Sequence, residues 1–318
     1  MNIVVDKSAI AKEIAEIKKK RNAIILAHYY QVGEVQEIAD FIGDSLALAQ
    51  EAAKTKADII VFAGVHFMAE TAKIICPEKK VLLPDLNAGC SLADSCPEDK
   101  FEAFVKAHPD HTVVTYVNTT AKIKALSDII CTSSNAYEIV KSIPESEKII
   151  FAPDRNLGDY IKSQTGREML IWDGHCHVHQ RFSLDKILKL KKENPGAKVI
   201  SHPECDKPVL IISDFIGSTS ALLKYTIQDG SSTYIVATES GILHQMKKEN
   251  PVKNFIPAPP NDSTCACNDC QFMKLIDLKK ILNSLKYDTY EITLEKDLMD
   301  KARKPILRML EISKNLKK

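Results

Sequence analysis

Three stretches of the 318-residue chain repeat one another: ADFIGDSLALAQEA from residue 39, SDIICTSSNAYEIV from 127 and SDFIGSTSALLKYT from 213. Their aspartates, Asp40, Asp128 and Asp214, lie 88 and 86 residues apart. Self-similarity at a fixed period constrains a chain more than any single motif, because each copy must build the same supersecondary unit. The flanking segments keep the same order. An apolar run ending in polar side chains precedes each copy (AIILAHYYQ, TVVTYVNTT, KVISHPECD). A second follows it (ADIIVFAG, EKIIFAPD, STYIVATE), and a third comes later (KKVLLPD, REMLIWDG, KNFIPAPP). Short β-rich runs alternating with helical patterns such as Ser45–Lys54 mark parallel sheets covered by helices. The expected fold is therefore α/β. It comprises three homologous three-layer α/β/α domains, over 22–107, 108–195 and 196–290, with parallel sheets in a pseudo-threefold arrangement around a central active site. Helices at 7–20 and 294–316 are expected to pack outside, the second within a helical tail spanning 291–318.

Charge and composition exclude several classes of function. With 43 basic and 42 acidic residues the net charge is +1, which gives no electrostatic case for nucleic acid or an anionic membrane. The N-terminal residues lack the basic start and apolar stretch of a secretory signal. No apolar run reaches the roughly 18 residues of a membrane span. The expected compartment is the cytoplasm. In that compartment nine cysteines, an odd number spread along the chain, do not read as a disulfide framework. Metal or redox work is the natural use for some of them.

Ligands of parallel α/β sheets bind at the carboxyl ends of the strands. The polar residues at the ends of the first strands are His28 and Tyr30, Tyr116 and Asn118, and His202 and Glu204, one pair per repeat. A loop with cysteine follows the third strand of each repeat: NAGCSLADSC (Cys90, Cys96), GHCHVH (Cys176) and STCACNDC (Cys265, Cys267, Cys270). Cys90 and Cys176 lie 50 and 48 residues beyond their repeat aspartates, and the third set lies 51, 53 and 56 beyond. Each domain can thus send one thiolate to a common axis. A closed zinc site wants four ligands, often as paired C-x-x-C units, and only Cys267–Cys270 has that spacing. A [4Fe-4S] cluster held by three cysteines keeps one iron open as a Lewis acid, which suits dehydration and condensation.

Ten ordered blocks carry a resemblance to the quinolinate synthase family of NAD biosynthesis. They include LAHYYQ (26–31), IADFIGDSL (38–46), LLPDLNAGCSLAD (82–94), YVNT (116–119), SHPEC (201–205), ATESGILHQM (237–246) and CNDCQFMKL (267–275). The family condenses iminoaspartate with dihydroxyacetone phosphate to quinolinate, phosphate and water. It uses a [4Fe-4S] cluster with three cysteine ligands and one open iron. The resemblance implies Cys90, Cys176 and Cys270 as those ligands. Cys270 follows from the Gln271–Phe272–Met273 that succeeds it, although repeat spacing slightly favours Cys265 or Cys267. It further implies a pocket of His28, Tyr30, Ser45, Tyr116, Asn118, Ser133, His179, His202, Glu204, Ser218 and Thr219. Hydroxyls at the helix starts (Ser45, Ser133, Ser218, Thr219) suit anionic substrate groups. Glu204 is the expected base, poised near neutral pH, with Tyr30 relaying protons and His202 beside them. An aspartate-oxidising enzyme in transient contact is the implied supplier of iminoaspartate. Two rival readings are a cluster-dependent hydro-lyase for another acid, and a solute-binding or regulatory module with structural zinc.

Overall fold

The computed structural model describes residues 7–261 and 269–315. Twelve strands form three separate four-stranded sheets, all parallel within each sheet. The first holds β1 (Ala23–His28), β2 (Phe41–Gly43), β3 (Ile59–Ala63) and β4 (Lys80–Leu82) in the order β2-β1-β3-β4. The second holds β5 (His111–Tyr116), β6 (Ile129–Cys131), β7 (Lys148–Ala152) and β8 (Met169–Ile171) in the order β6-β5-β7-β8. The third holds β9 (Lys198–Ser201), β10 (Phe215–Ile216), β11 (Thr233–Ala237) and β12 (Asn254–Pro257) in the order β10-β9-β11-β12. One topology is thus written three times. All five residues of β3, IIVFA, are buried, as expected of a strand covered by helices on both faces.

The repeat signature is a strand in its own right. β2, β6 and β10 are only two or three residues long, too short for an apolar run to announce them in the sequence. The signature aspartate holds each one in register. Asp40, Asp128 and Asp214 accept the backbone N–H groups of Ile25, Val113 and Val199 at 2.7, 2.8 and 2.8 Å. Their own amides donate back to the carbonyls of the same residues at 3.0, 3.0 and 2.7 Å. The most visible feature of the sequence is therefore a structural clamp between neighbouring strands.

The three units interlock cyclically. The helix Glu98–Lys106 follows the first cysteine loop, yet its buried Phe101 packs with Val113 and Ile150 of the second sheet. The helix Leu184–Glu193 puts Ile187 against Val199 and Ile235 of the third sheet. The helix Leu278–Tyr287 returns to the first sheet, where Ile281 and Leu285 join the core that contains Ile25 and Val61. Each such apolar side chain, fully buried, stabilises by about 1.5–3 kcal/mol, so the cysteine loops are spanned by well-anchored elements. The N-terminal helix Lys7–Lys20 packs on the helix Leu278–Tyr287 and on β1. The C-terminal helix Lys296–Asn315 lies against β6 and the helices His66–Ile75 and Ala121–Ala125, so it bridges the first two units. Asn135 Nδ2 donates to its Ser313 at 2.8 Å. No helix among the described residues is long and apolar enough to cross a membrane.

Candidate active site

The carboxyl ends of the three sheets face one cavity, lined by residues of all three units. The first strand of each repeat delivers its polar pair there. His28 and Tyr30, Tyr116 and Asn118, and His202 and Glu204 all line it. Ser45, Ser133, His179 and Thr219 join them, as do Cys90, Cys176 and Cys270. Among the expected pocket residues Ser218 stands apart from the lining. Its hydroxyl accepts the amide of Ala221 at 3.3 Å and caps the helix Thr219–Gln228. Ser45 and Thr219 are the first residues of their helices, and Ser133 lies in the turn before the helix Ala136–Lys141.

Glu204 is the hub. It is 3% exposed. Tyr116 Oη donates to its Oε1 at 2.6 Å, and His179 Nδ1 lies 2.9 Å from its Oε2. His202 Nδ1 is 3.7 Å from Oε1, while His202 Nε2 is bonded to Ser133 Oγ at 3.1 Å. The His179 and His202 rings stack with centroids 4.7 Å apart. From His179 the contacts continue: Nε2 to Thr238 Oγ1 at 2.9 Å, Thr238 Oγ1 to Tyr30 Oη at 2.7 Å, and Tyr30 Oη to Thr219 Oγ1 at 3.0 Å. An unbroken chain of hydrogen-bonding groups thus runs from Glu204 through His179 and Thr238 to Tyr30. Asn118 Oδ1 is buried without a hydrogen-bond partner at the cavity wall. A buried acceptor left open in a pocket is a place for a ligand donor.

Burial sets the protonation states. It pushes His28 down to about 4, against a raising effect of Asp44, and His202 down to about 3, against Glu204. Both rings are therefore neutral. Burial, then the Glu204 charge, raise Tyr30 and Tyr116 well above the usual phenol range. Glu204 departs from the sequence expectation. Burial alone would raise it, but the neighbouring His179 and then His202, with hydrogen bonds from His179 and Tyr116, take it down to about 2. The carboxyl group is ionised at neutral pH rather than poised near it.

Three cysteines arrive from equivalent loops. The main-chain carbonyl of each accepts the amide four residues on: Asp94 to Cys90 at 3.0 Å, Gln180 to Cys176 at 3.0 Å and Lys274 to Cys270 at 3.2 Å. This shared turn gives Cys270 the same place in its loop as the other two. Cys265 and Cys267 lie outside the described residues. Burial pushes the Cys90 thiol up to about 12, with Cys270 adding to it. Cys176 is raised well above its ordinary value by burial, then by Glu204, Cys90 and Cys270. Cys270 is raised mainly by burial. Three thiolates in this space repel one another unless a cation lies among them, so the donor set fits a metal centre. Three cysteine sulfurs, with no fourth on the cavity wall among the described residues, match a cluster that keeps one open iron. Cys176, His179 and Glu204 also bring donor atoms within 4.8 Å of one another, a set that zinc accepts. Three further cysteines stand off the cavity wall: Cys96 packs with Phe101, and Cys131 and Cys205 are fully buried. His177 lines the cavity and contacts Ser91 Oγ.

Sequence reasoning missed Thr238, Glu239, Asp154 and Lys274. Thr238, Glu239 and Asp154 stand just past strand ends and Lys274 in the short helical turn Met273–Leu275, where one polar residue makes no pattern by itself. Aligning the ends of the second strands (FAGV, FAPD, VATE) was the available signal, because Asp154 and Glu239 then share one register.

Residues 12–311 match the family model described as Quinolinate synthetase A protein. The quinolinate synthase of Trichormus variabilis is 61% identical over 300 residues, covering 94% of this chain and 92% of that protein. The quinolinate synthase of Thermosynechococcus vestitus is 58% identical over 300 residues, with 94% of each chain covered. That of Chloroherpeton thalassium is 57% identical over 303 residues, covering 95% of this chain and 94% of that protein.

Proposed function

The chain belongs to the Quinolinate synthetase A protein family, and from that premise we propose that it is a quinolinate synthase of NAD biosynthesis. Its substrates are iminoaspartate and dihydroxyacetone phosphate, and its products quinolinate, phosphate and water. Cys90, Cys176 and Cys270 hold a [4Fe-4S] cluster. The observation that carries this reading is the convergence of three equivalent loops on one cavity whose wall also carries the donors and acceptors His28, Tyr30, Tyr116, Asn118, His202 and Glu204. When bound, the cluster supplies an iron free of cysteine that polarises a substrate oxygen as a Lewis acid.

The chain's own groups bind, orient and move protons. Iminoaspartate carries two carboxylates and the triose a phosphate, so the site needs fixed neutral donors. Ser45, Ser133 and Thr219 offer hydroxyls at or before helix starts, where backbone N–H groups also favour anions. Neutral His28 and His202 add ring nitrogens. Asn118 turns its unpartnered carbonyl oxygen to a substrate N–H or O–H. Glu204, ionised before the reaction, orients Tyr116 and His179 and is the group that accepts a proton. Protons taken from carbon beside the carbonyl, or given to departing hydroxyl, travel along Glu204, His179, Thr238 and Tyr30. Such positioned proton transfer contributes about 10²–10⁴-fold. An aspartate-oxidising enzyme supplies the imine.

The test is anaerobic purification followed by iron and sulfide analysis and turnover with the two substrates. About four irons with matching sulfide per chain, and quinolinate as product, are expected. One zinc and no sulfide after anaerobic reconstitution favours the Cys176–His179–Glu204 site instead. A cluster without quinolinate favours a hydro-lyase of another acid.

A further inference from the structure

The equivalent strands β3, β7 and β11 of the three repeats end at Ala63, Ala152 and Ala237. Two residues beyond each end stand Val65, Asp154 and Glu239, which are 2%, 0% and 0% exposed. Burying a carboxyl group is costly unless hydrogen bonds compensate, so two of them in one register need a shared reason. The shared partner is the main chain of a proposed cluster ligand. Asp154 Oδ2 accepts the N–H of Cys176 at 3.3 Å, and Glu239 Oε1 accepts the N–H of Cys270 at 3.0 Å. The second oxygen of each group ties down its own turn. Asp154 Oδ1 accepts the amide of Leu157 at 2.8 Å, and Glu239 Oε2 accepts that of Gly241 at 2.7 Å.

In the first repeat Val65 offers no acceptor, and the backbone replaces it. The amide of His66 donates to the carbonyl of Ala88, two residues before Cys90, at 2.7 Å. The third clamp reaches further than the second. Lys274 Nζ lies 2.7 Å from Glu239 Oε1 and donates to the Tyr30 carbonyl at 2.6 Å, which couples the Cys270 turn to the Tyr30 segment of the first unit.

We propose that Asp154 and Glu239 are positioning residues that fix the main chain at Cys176 and Cys270, each acting on its own cysteine. The proposal rests on the reading that these cysteines hold the cluster, although the pairing of carboxylate with cysteine does not. Partners one shell out from a metal commonly change affinity by about 10–100-fold.

Two measurements test it on the full chain. The first is the rate at which a chelator strips iron from anaerobic, cluster-loaded wild type, Asp154→Ala and Glu239→Ala. The second, on metal-free protein, is the alkylation rate of each cysteine, resolved by peptide mass spectrometry. Iron loss is expected to be about 10-fold faster or more in both variants. Asp154→Ala should speed alkylation of Cys176 and leave Cys270 unchanged, and Glu239→Ala should do the reverse. Asp154→Asn and Glu239→Gln, which keep one acceptor oxygen, should fall between, and they carry the same paired test if the alanine variants do not fold. The proposal is overturned by wild-type iron retention in the variants. It is equally overturned if both cysteines become more reactive together, in step with a lower melting temperature, since that is general loosening. If wild type itself takes up no cluster, the functional reading fails, and the alkylation pattern still decides the pairing.

Discussion

Tyr116, from the second repeat, donates its phenolic hydroxyl to Glu204 Oε1, from the third, at 2.6 Å. The bond crosses a unit boundary and ends on the ionised hub of the cavity. Hydrogen bonds to charged groups are worth about 1.5–3 kcal/mol, and every 1.4 kcal/mol or so is tenfold in rate. Tyr116→Phe is therefore expected to lower kcat about 10–100-fold. Glu204→Gln is expected to cost about 10²–10⁴-fold with iron content unchanged. Because the two act as one unit, adding Tyr116→Phe to Glu204→Gln should cost little more. Fully additive losses in this double-mutant cycle would remove Glu204 as the group through which Tyr116 acts.

The cysteines separate by position rather than by type. Cys90→Ser, Cys176→Ser and Cys270→Ser should each abolish cluster assembly, read as iron and sulfide per chain after anaerobic reconstitution. Cys96→Ser should keep the cluster. Its thiol is 1% exposed among Phe101, Val113 and Ile150, so the cost there is in stability, about 1–3 kcal/mol for a buried hydroxyl without a dedicated partner. Equal iron loss in all four variants would mean that the ligand assignment is wrong.

Much of this architecture was legible because the chain states it three times. The bounds of the helices Lys7–Lys20 and Ser45–Lys54 follow from apolar periodicity and polar ends, and the structure repeats them. The polar pairs at the first-strand ends reach the cavity because strand direction and register leave them no other place. Repeat spacing slightly favours Cys265 or Cys267 over Cys270, since loop lengths drift between repeats. Its turn, with the Lys274 amide on the Cys270 carbonyl, is what the sequence does not display. Glu204 shows the limit of residue type as a guide. A carboxyl group in a pocket reads as one poised near neutral pH, yet His179, 25 residues away in sequence, lies against it and with the adjacent His202 inverts that expectation.

The repeat aspartates make the opposite point, because the most prominent motif is not chemical. Asp40, Asp128 and Asp214 each bind a first-strand amide at 2.7–2.8 Å. They are exposed on the other side, so each bond is worth about 1 kcal/mol. Alanine at any one of them should lower unfolding free energy by about that amount. The three sites are on separate sheets, so the triple variant should lose about 3 kcal/mol by addition. Turnover per folded molecule should remain at the wild-type value in all four proteins. A selective loss of kcat in one single variant would give that aspartate a role the clamp does not explain.

Lys124 provides a pH test of the seam between the first two units. It is fully buried, its ammonium lies 5.4 Å from the centre of the Phe67 ring, and it donates to the carbonyl of Thr119. Burial pushes it down from 10.5 to about 8, partly offset by Glu70 and then Cys90. Glu70 is also engaged, accepting the Ala121 amide at 3.0 Å. Below pH 8 both folded and unfolded chains carry the proton, and the folded state bears the cost of a buried charge. Between about 8 and 10.5 the folded chain sheds the proton while the unfolded chain still binds it, so stability rises with pH from this group. At about 1.4 kcal/mol per pH unit the rise is on the order of 3 kcal/mol at most. Lys124→Met removes it. Urea unfolding of anaerobic wild type and Lys124→Met between pH 7 and 10.5 should therefore show wild type gaining on the variant as pH rises. A difference that stays flat across this range would mean that Lys124 keeps its proton in the folded seam, with Glu70 as full compensation.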